Sequence, residues 1–209
     1  MKKAGSVGIS TQEYGTKKIN LILRGMPGSP LVVHAFDDKV KQQIRDKQQK
    51  KERKAKTARN PKDEFLAARY IDNEGRECVP IMTVKKSLIS AATAFQDLTK
   101  VALRQSLFVT STASPSSYLV PIETHDGKQA VGQMREDAVT IGMGTRDLTY
   151  RPEYKEWQIC VTIEYLPSLI SEEQLLPLAK HAGWGCGICE GRPERTSALG
   201  WGRYEPIKV

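Results

Sequence analysis

The chain has 209 residues, of which 39% are hydrophobic and 27% are charged, and its net charge is +8. This length can bury one substantial core, and the composition is that of a soluble globular protein. No apolar run reaches the roughly 20 residues of a membrane span, and polar residues follow Met1, so we expect neither a membrane segment nor secretion. The four cysteines form no disulfide pattern, which predicts a cytoplasmic protein.

The first predicted elements are a strand at 19–24, a turn at 25–30 and an extended run at 31–36. A basic arm follows, because residues 39–62 hold eleven Lys or Arg against two acidic residues, a net charge of +9 that leaves −1 for the rest of the chain. Such a concentration of positive charge suits the binding of a polyanion. A solvated, partly disordered insertion is the alternative. The candidate contacts of the arm are Lys47, Lys50, Lys51, Arg53 and Lys54.

An amphipathic helix is predicted over 83–101, with apolar residues from Val84 to Val101 on one face. Lys85 and Lys86 lie in its first turn, where the helix dipole disfavours cations. Two lysines there indicate either an anion drawn by the free amide groups or side chains that simply point into water.

Strands are predicted at 106–109 and 118–122, followed by a turn at 125–128. The excursion at 129–156 is hairpin-like and mixes arginine with aromatic residues. This mixture suits stacking on unpaired bases, and it equally suits ordinary packing within a hairpin. The arginines of the excursion are Arg135, Arg146 and Arg151.

The last quarter of the chain predicts a strand at 157–166, a helix at 171–182 with a capping box, and a final strand at either 184–190 or 199–207. The end of this region is rich in glycine, which permits positive φ and lets another backbone come close. It is also rich in arginine, whose guanidinium suits the binding of phosphate. A tight turn with its arginines in solvent is the alternative. The candidate contacts are Gly191, Arg192, Gly200, Gly202 and Arg203.

Chain order then gives a βαββαβ core. Its elements are β (19–24), α (83–101), β (118–122), β (157–166), α (171–182) and the final strand. This order predicts an α+β fold of the ferredoxin-like (RRM-like) type. We expect one domain over 1–209, with a basic helical insertion at 37–77 and a hairpin-like insertion at 123–156.

The pattern resembles the RAMP superfamily, the RNA-binding folds of CRISPR effector complexes. Pro80-Ile81-Met82 before Lys85 and Lys86 resembles the family's proline followed by a basic helix start, and 191–204 resembles its C-terminal glycine-rich signature, although Thr83-Val84 replace the usual Gly-Ser. The resemblance implies RNA binding, as in the backbone subunit that polymerises along guide RNA and carries a similar first insertion. Segments 150–154 and 183–204 are also similar to uncharacterised phage-encoded proteins.

Signals for catalysis and for metal binding are few. Of the three histidines, only His125, beside Asp126, is a candidate general acid for cleaving RNA. Cys186 and Cys189 form one CxxC motif, but a structural zinc site needs four ligands and a second pair is missing. We therefore predict no catalytic residue, no metal site and no cofactor.

The sequence predicts a non-catalytic protein that binds single-stranded RNA or DNA, with RNA favoured by the resemblance. Such a protein can assemble as repeated subunits along the strand or within a ribonucleoprotein complex. Two alternatives stay open, an RNA-processing endonuclease on the same fold and an interaction protein that binds an acidic protein partner through the basic arm.

Overall fold

The computed structural model describes residues 15–35, 45–46, 48–49, 59–141, 144–196 and 199–209. Over these ranges the chain is an α+β protein with several antiparallel sheets. The strands are β1 (Lys17–Gly25), β2 (Leu31–Val32), β3 (Tyr70–Ile71), β4 (Glu77–Pro80), β5 (Leu107–Ser111), β6 (Leu119–Pro121), β7 (Gln133–Ile141), β8 (Thr145–Tyr154), β9 (Gln158–Tyr165) and β10 (Tyr204–Lys208). The helices are α1 (Pro61–Ala67), α2 (Met82–Ala91), α3 (Lys100–Ser106) and α4 (Glu172–His181). None of the helices described is long and apolar enough to cross a membrane.

The central sheet has four strands in the order β10-β1-β9-β5, and every neighbouring pair is antiparallel. Side chains alternate between its faces, so Ile19 and Leu21 of β1 are buried while Asn20 between them is exposed. Leu88 of α2 and Leu175 of α4 join the same buried cluster. The core therefore lies between one face of this sheet and these two helices.

The helix predicted over 83–101 is interrupted. α2 ends at Ala91, a 3₁₀ turn covers Ala92–Ala94, and Thr99 caps α3 by accepting a hydrogen bond from the Ala102 N–H at 3.1 Å. The interruption changes the helical phase. Val101, which the sequence placed on the buried face, is consequently 58% exposed.

The strand predicted at 118–122 is present as β6, but it does not join the central sheet. It pairs with β4 in a separate three-stranded sheet of order β3-β4-β6, and β5 takes the place beside β9. β6 also ends in Pro121, which cannot donate a backbone hydrogen bond and is poorly suited to the interior of a sheet.

The predicted strand at 184–190 is wrong, and the alternative at 199–207 overlaps the observed β10 only at residues 204–207. Residues Ala182–Cys186 instead form a π-helical turn directly after α4. The capping box of α4 is confirmed, since Ser171 accepts from the Gln174 N–H at 3.3 Å while the Gln174 side chain accepts from the Ser171 N–H at 3.0 Å.

The excursion at 129–156 contains the antiparallel hairpin of β7 and β8, and β8 also pairs with β2. Arg59 joins this hairpin to α1, because its guanidinium bonds Glu64 of α1, Asp147 and the Leu148 carbonyl. Of the helix predicted for the basic arm, residues 45, 46 and 48 are described and are helical.

Candidate nucleic-acid interface

Ser29 joins the turn after β1 to the glycine-rich end of the chain. Its side chain is 2% exposed, and its Oγ donates to the Gly200 carbonyl and accepts from the Arg203 N–H, each at 2.7 Å. Its own carbonyl accepts a hydrogen bond from Nε1 of buried Trp157 at 3.0 Å. The sequence identified the turn and the glycine-rich segment but not Ser29, because a serine between turn residues is usually found in solvent.

Two of the three predicted glycines are explained by packing within the protein. A Cβ on Gly191 would lie 2.1 Å from Cε3 of Trp201, and a Cβ on Gly202 would lie 2.0 Å from the Ile188 carbonyl oxygen. Both glycines also have φ near +60° (61° and 64°), a region that other residues rarely adopt. The space at Gly200 is open, because a Cβ there would meet nothing closer than Cδ of Arg203 at 3.8 Å.

Trp201 is stacked against Arg135 from the β7–β8 hairpin. The guanidinium carbon of Arg135 lies 4.3 Å from the ring centroid of Trp201, which is 7% exposed. Arg135 also forms ion pairs with Asp137 at 2.8 Å and with Glu153 at 2.6 Å. Burial opposes the charged form, but the bonds to these two carboxylates outweigh it and raise the pKa of Arg135. Its charge is already neutralised within the protein.

Arg151 and Arg192 are also paired within the protein. Arg151 donates to Asp137 at 2.7 Å. Arg192 donates to the Cys189 carbonyl at 2.9 Å and forms an ion pair with Glu194 at 3.5 Å. Arg192 therefore stabilises the loop that contains it.

Arg203 differs from these arginines. Its guanidinium carbon lies 4.0 Å from the ring centroid of Trp184, and no carboxylate in the described ranges forms an ion pair with it. Trp184 is 63% exposed and lies in the π-helical turn after α4. This turn packs tightly on β10, since a Cβ on Gly183 would lie only 1.9 Å from the Tyr204 carbonyl oxygen.

Trp184 was not among the predicted contacts. The signal available in the sequence was its position between two glycines, Gly183 and Gly185, which place no side chain on either side of the indole along the chain. π-Helical turns are often found at functional sites.

The remaining predicted contacts that the structure describes lie on α2, which packs on the π-helical turn through the bond from Ser87 Oγ to the Ala182 carbonyl at 3.2 Å, and on the hairpin. Lys85 donates to the Arg104 carbonyl at 3.2 Å and its ammonium lies 4.6 Å from the ring centroid of Phe108, while Lys86 is exposed. Arg146 is exposed near the tip of the hairpin, five residues along β8 from Arg151 and hence about 17 Å away.

The five predicted contacts of the basic arm lie outside the described residues. They are Lys47, Lys50, Lys51, Arg53 and Lys54. The described part of the chain thus brings together the predicted residues of the glycine-rich end and Arg135, but it separates them from Arg146.

The candidate catalytic pair is not assembled. The carboxylate of Asp126 bonds Lys128 and Thr124, and these contacts lower the pKa of Asp126 to about 2. No hydrogen bond joins Asp126 to His125 anywhere in the described ranges. Among the residues described, no group of three or more His, Cys, Asp or Glu could hold a metal ion, and Cys186 and Cys189 are buried free thiols.

No protein-family model and no curated protein matches this chain, so the expected similarity to phage-encoded proteins has no support among them. Among solved structures, the chain is similar to the crystal structure of Cmr6 from Pyrococcus furiosus. The sequence identity is 10% and the TM-score is 0.42, with 92% of this chain and 99% of that chain covered.

Proposed function

We propose that this chain binds single-stranded nucleic acid, RNA in particular, and does not cleave it. The observation that supports this most strongly is the uncompensated charge of Arg203. Its backbone is fixed by Ser29 and its side chain by Trp184, yet no described carboxylate neutralises it. A fixed guanidinium at a glycine-rich surface suits a phosphate group, for which arginine offers a planar set of donors.

The proposed fold is a ferredoxin-like core of the kind that the RAMP resemblance implies. Two observations support it. The strands and helices of the central layer follow one another as β1, α2, β5, β9, α4 and β10, which is the βαββαβ order. All neighbouring strand pairs of the sheet are antiparallel.

The proposal assigns the basic arm a second, sequence-independent contact with the strand. The described residue before the arm is tied to the end of the helix that follows it, because the Ala35 N–H bonds the carbonyl of Ala68, the residue after α1, at 2.8 Å. The concentration of charge supports this role, because affinity for phosphates grows with each counterion released. Assembly side by side along a strand belongs to the same proposal, and so does a ribonucleoprotein complex.

The test is the affinity of Arg203→Gln for fluorescent oligouridylate at several salt concentrations. Gln keeps the aliphatic stem and removes the charge, so we expect weaker binding and a log–log salt slope that is shallower by about 0.7, the value expected for one phosphate of a single strand that is no longer neutralised. The loss of affinity should be similar for other base sequences, because phosphate contacts position a protein without specifying bases.

Arg104→Gln is the matched control, since Arg104 is exposed on α3 and its side chain has no ion pair among the described residues. This variant loses the same charge from a different element of the fold. Unchanged affinity and slope in Arg203→Gln, or an equal loss of affinity in both variants, would remove Arg203 from the interface.

A further inference from the structure

We propose that the free face of Trp184 stacks on one unpaired nucleobase while Arg203 binds the adjoining phosphate. This inference rests on the proposed function and names the chemical group recognised at that site. Trp184 and Arg203 would together form a platform for one nucleotide unit, defined here as the Trp184 platform.

The exposure of Trp184 sets it apart from the other tryptophans. The chain has three, of which Trp157 is fully buried and Trp201 is 7% exposed, whereas Trp184 is 63% exposed. A large aromatic side chain gains most when it is removed from water, so an exposed tryptophan at a rigid position indicates a surface that a partner covers.

The platform is held in place from both sides. The π-helical turn that carries Trp184 packs on Tyr204 through Gly183, where no Cβ would fit. The backbone of Arg203 is fixed by two hydrogen bonds, from its N–H to Ser29 Oγ at 2.7 Å and from the Met26 N–H to its carbonyl at 3.0 Å. Binding would therefore cost little conformational entropy at Trp184 and Arg203.

Arg203 covers one face of the Trp184 ring, which leaves the opposite face for a ligand. Nε of Arg203 is buried without a hydrogen-bond partner among the described residues. The guanidinium also lacks an acidic partner there, in contrast to Arg135, whose two carboxylates would repel a phosphate. A flat apolar face beside an uncompensated guanidinium matches a base and its phosphate.

Stacking alone does not select a base, because every base has a π face. The platform is therefore expected to accept any unpaired base and to exclude a base that remains paired within a duplex. Removal of one stacked base typically weakens binding roughly 5- to 150-fold.

The first experiment uses the unaltered protein and its intrinsic fluorescence. Acrylamide should quench mainly Trp184, because the other two tryptophans are buried. Saturating oligouridylate, or oligodeoxythymidylate in a parallel arm, should quench the same emission and protect it from acrylamide. Binding without either change would place the strand elsewhere and overturn the inference, while leaving the proposed function in place.

The second experiment is a double-mutant cycle between Trp184 and the bases. Trp184→Phe, Trp184→Leu and the unaltered protein are titrated with oligodeoxythymidylate and with a strand of the same length that lacks bases. We expect Trp184→Leu to bind the normal strand roughly 5- to 150-fold more weakly, Trp184→Phe to be intermediate, and all three to bind the abasic strand equally. The salt slope should be unchanged, because stacking involves no counterion.

Tyr118→Leu is the matched control, since Tyr118 is also exposed, at 65%, and lies at the loop before β6. It should bind both strands as the unaltered protein does. Equal reductions in affinity of Trp184→Leu for normal and abasic strands would assign Trp184 a purely structural role. If the unaltered protein binds neither strand, the proposed function itself fails and the inference fails with it. If it binds an acidic protein instead, the interaction-protein alternative replaces both.

Discussion

Gly191→Ala should destabilise the protein through one specific contact with Trp201. The new Cβ would lie 2.1 Å from Cε3 of the indole, against which Arg135 is also stacked. The left-handed φ of +61° adds about 1–2 kcal/mol for any residue with a Cβ, and overpacking adds about 1–3 kcal/mol, so the free energy of unfolding should fall by about 2–5 kcal/mol. For a chain of this length that corresponds to a melting temperature lower by about 4–20 °C.

Gly127→Ala provides the matched control for Gly191→Ala. Gly127 has φ +80°, but nothing lies within 4 Å of its ideal Cβ, so only the backbone term of about 1–2 kcal/mol applies. Thermal and urea denaturation of both variants would isolate the contact with Trp201. Equal destabilisation in the two variants would refute the packing explanation of Gly191. Gly191 would then be better explained as the nucleic-acid contact that the sequence predicted.

Three further predictions address other parts of the molecule. Ser29→Ala should cost about 2–4 kcal/mol in urea unfolding, because it leaves the Gly200 carbonyl and the Arg203 N–H unpaired, and an unaltered urea midpoint would contradict this. Burial and the bond to Glu77 raise the pKa of Tyr154. Above a pH of about 10 this tyrosine therefore ionises in the unfolded chain but not in the folded protein, and the free energy of unfolding falls as the pH rises. Tyr154→Phe should reduce this fall between about pH 9 and about pH 11, and a parallel decline in both proteins would argue against it. Replacing the arm residues Lys47, Lys50, Lys51, Arg53 and Lys54 with Gln should weaken binding and flatten the salt slope by about 0.7 for each phosphate that is no longer neutralised, and an unchanged slope would exclude the arm from the interface.

Periodic segments of the sequence predicted the central elements well. The alternation of β1 and β9 and the capping box at Ser171 are local signals, because neighbours along the chain determine them. The predictions failed where the outcome depends on contacts distant in the sequence. Whether β5 or β6 pairs with β9 is such a case, since both segments read as strands.

The candidate site shows the same division between local and distant signals. Composition identified the glycine-rich end and the arginines of the hairpin, but which arginine meets a carboxylate is decided by folding, as when Arg135 pairs across the hairpin with Glu153. The sequence could therefore not distinguish Arg135, which is neutralised, from Arg203, which no carboxylate of the described ranges pairs with. It also could not identify Trp184, because the exposure of a tryptophan is set by the packing of the turn that carries it.

A comparison of single-stranded and duplex ligands tests directly whether the protein binds unpaired bases. The affinity of the unaltered protein would be measured by fluorescence anisotropy for an oligouridylate and for the duplex of the same strand with oligoadenylate, at one fixed salt concentration. We expect tighter binding of the single strand, because only unpaired bases can reach Trp184 while both ligands offer phosphates. Equal or tighter binding of the duplex, or no binding of either ligand, would contradict it.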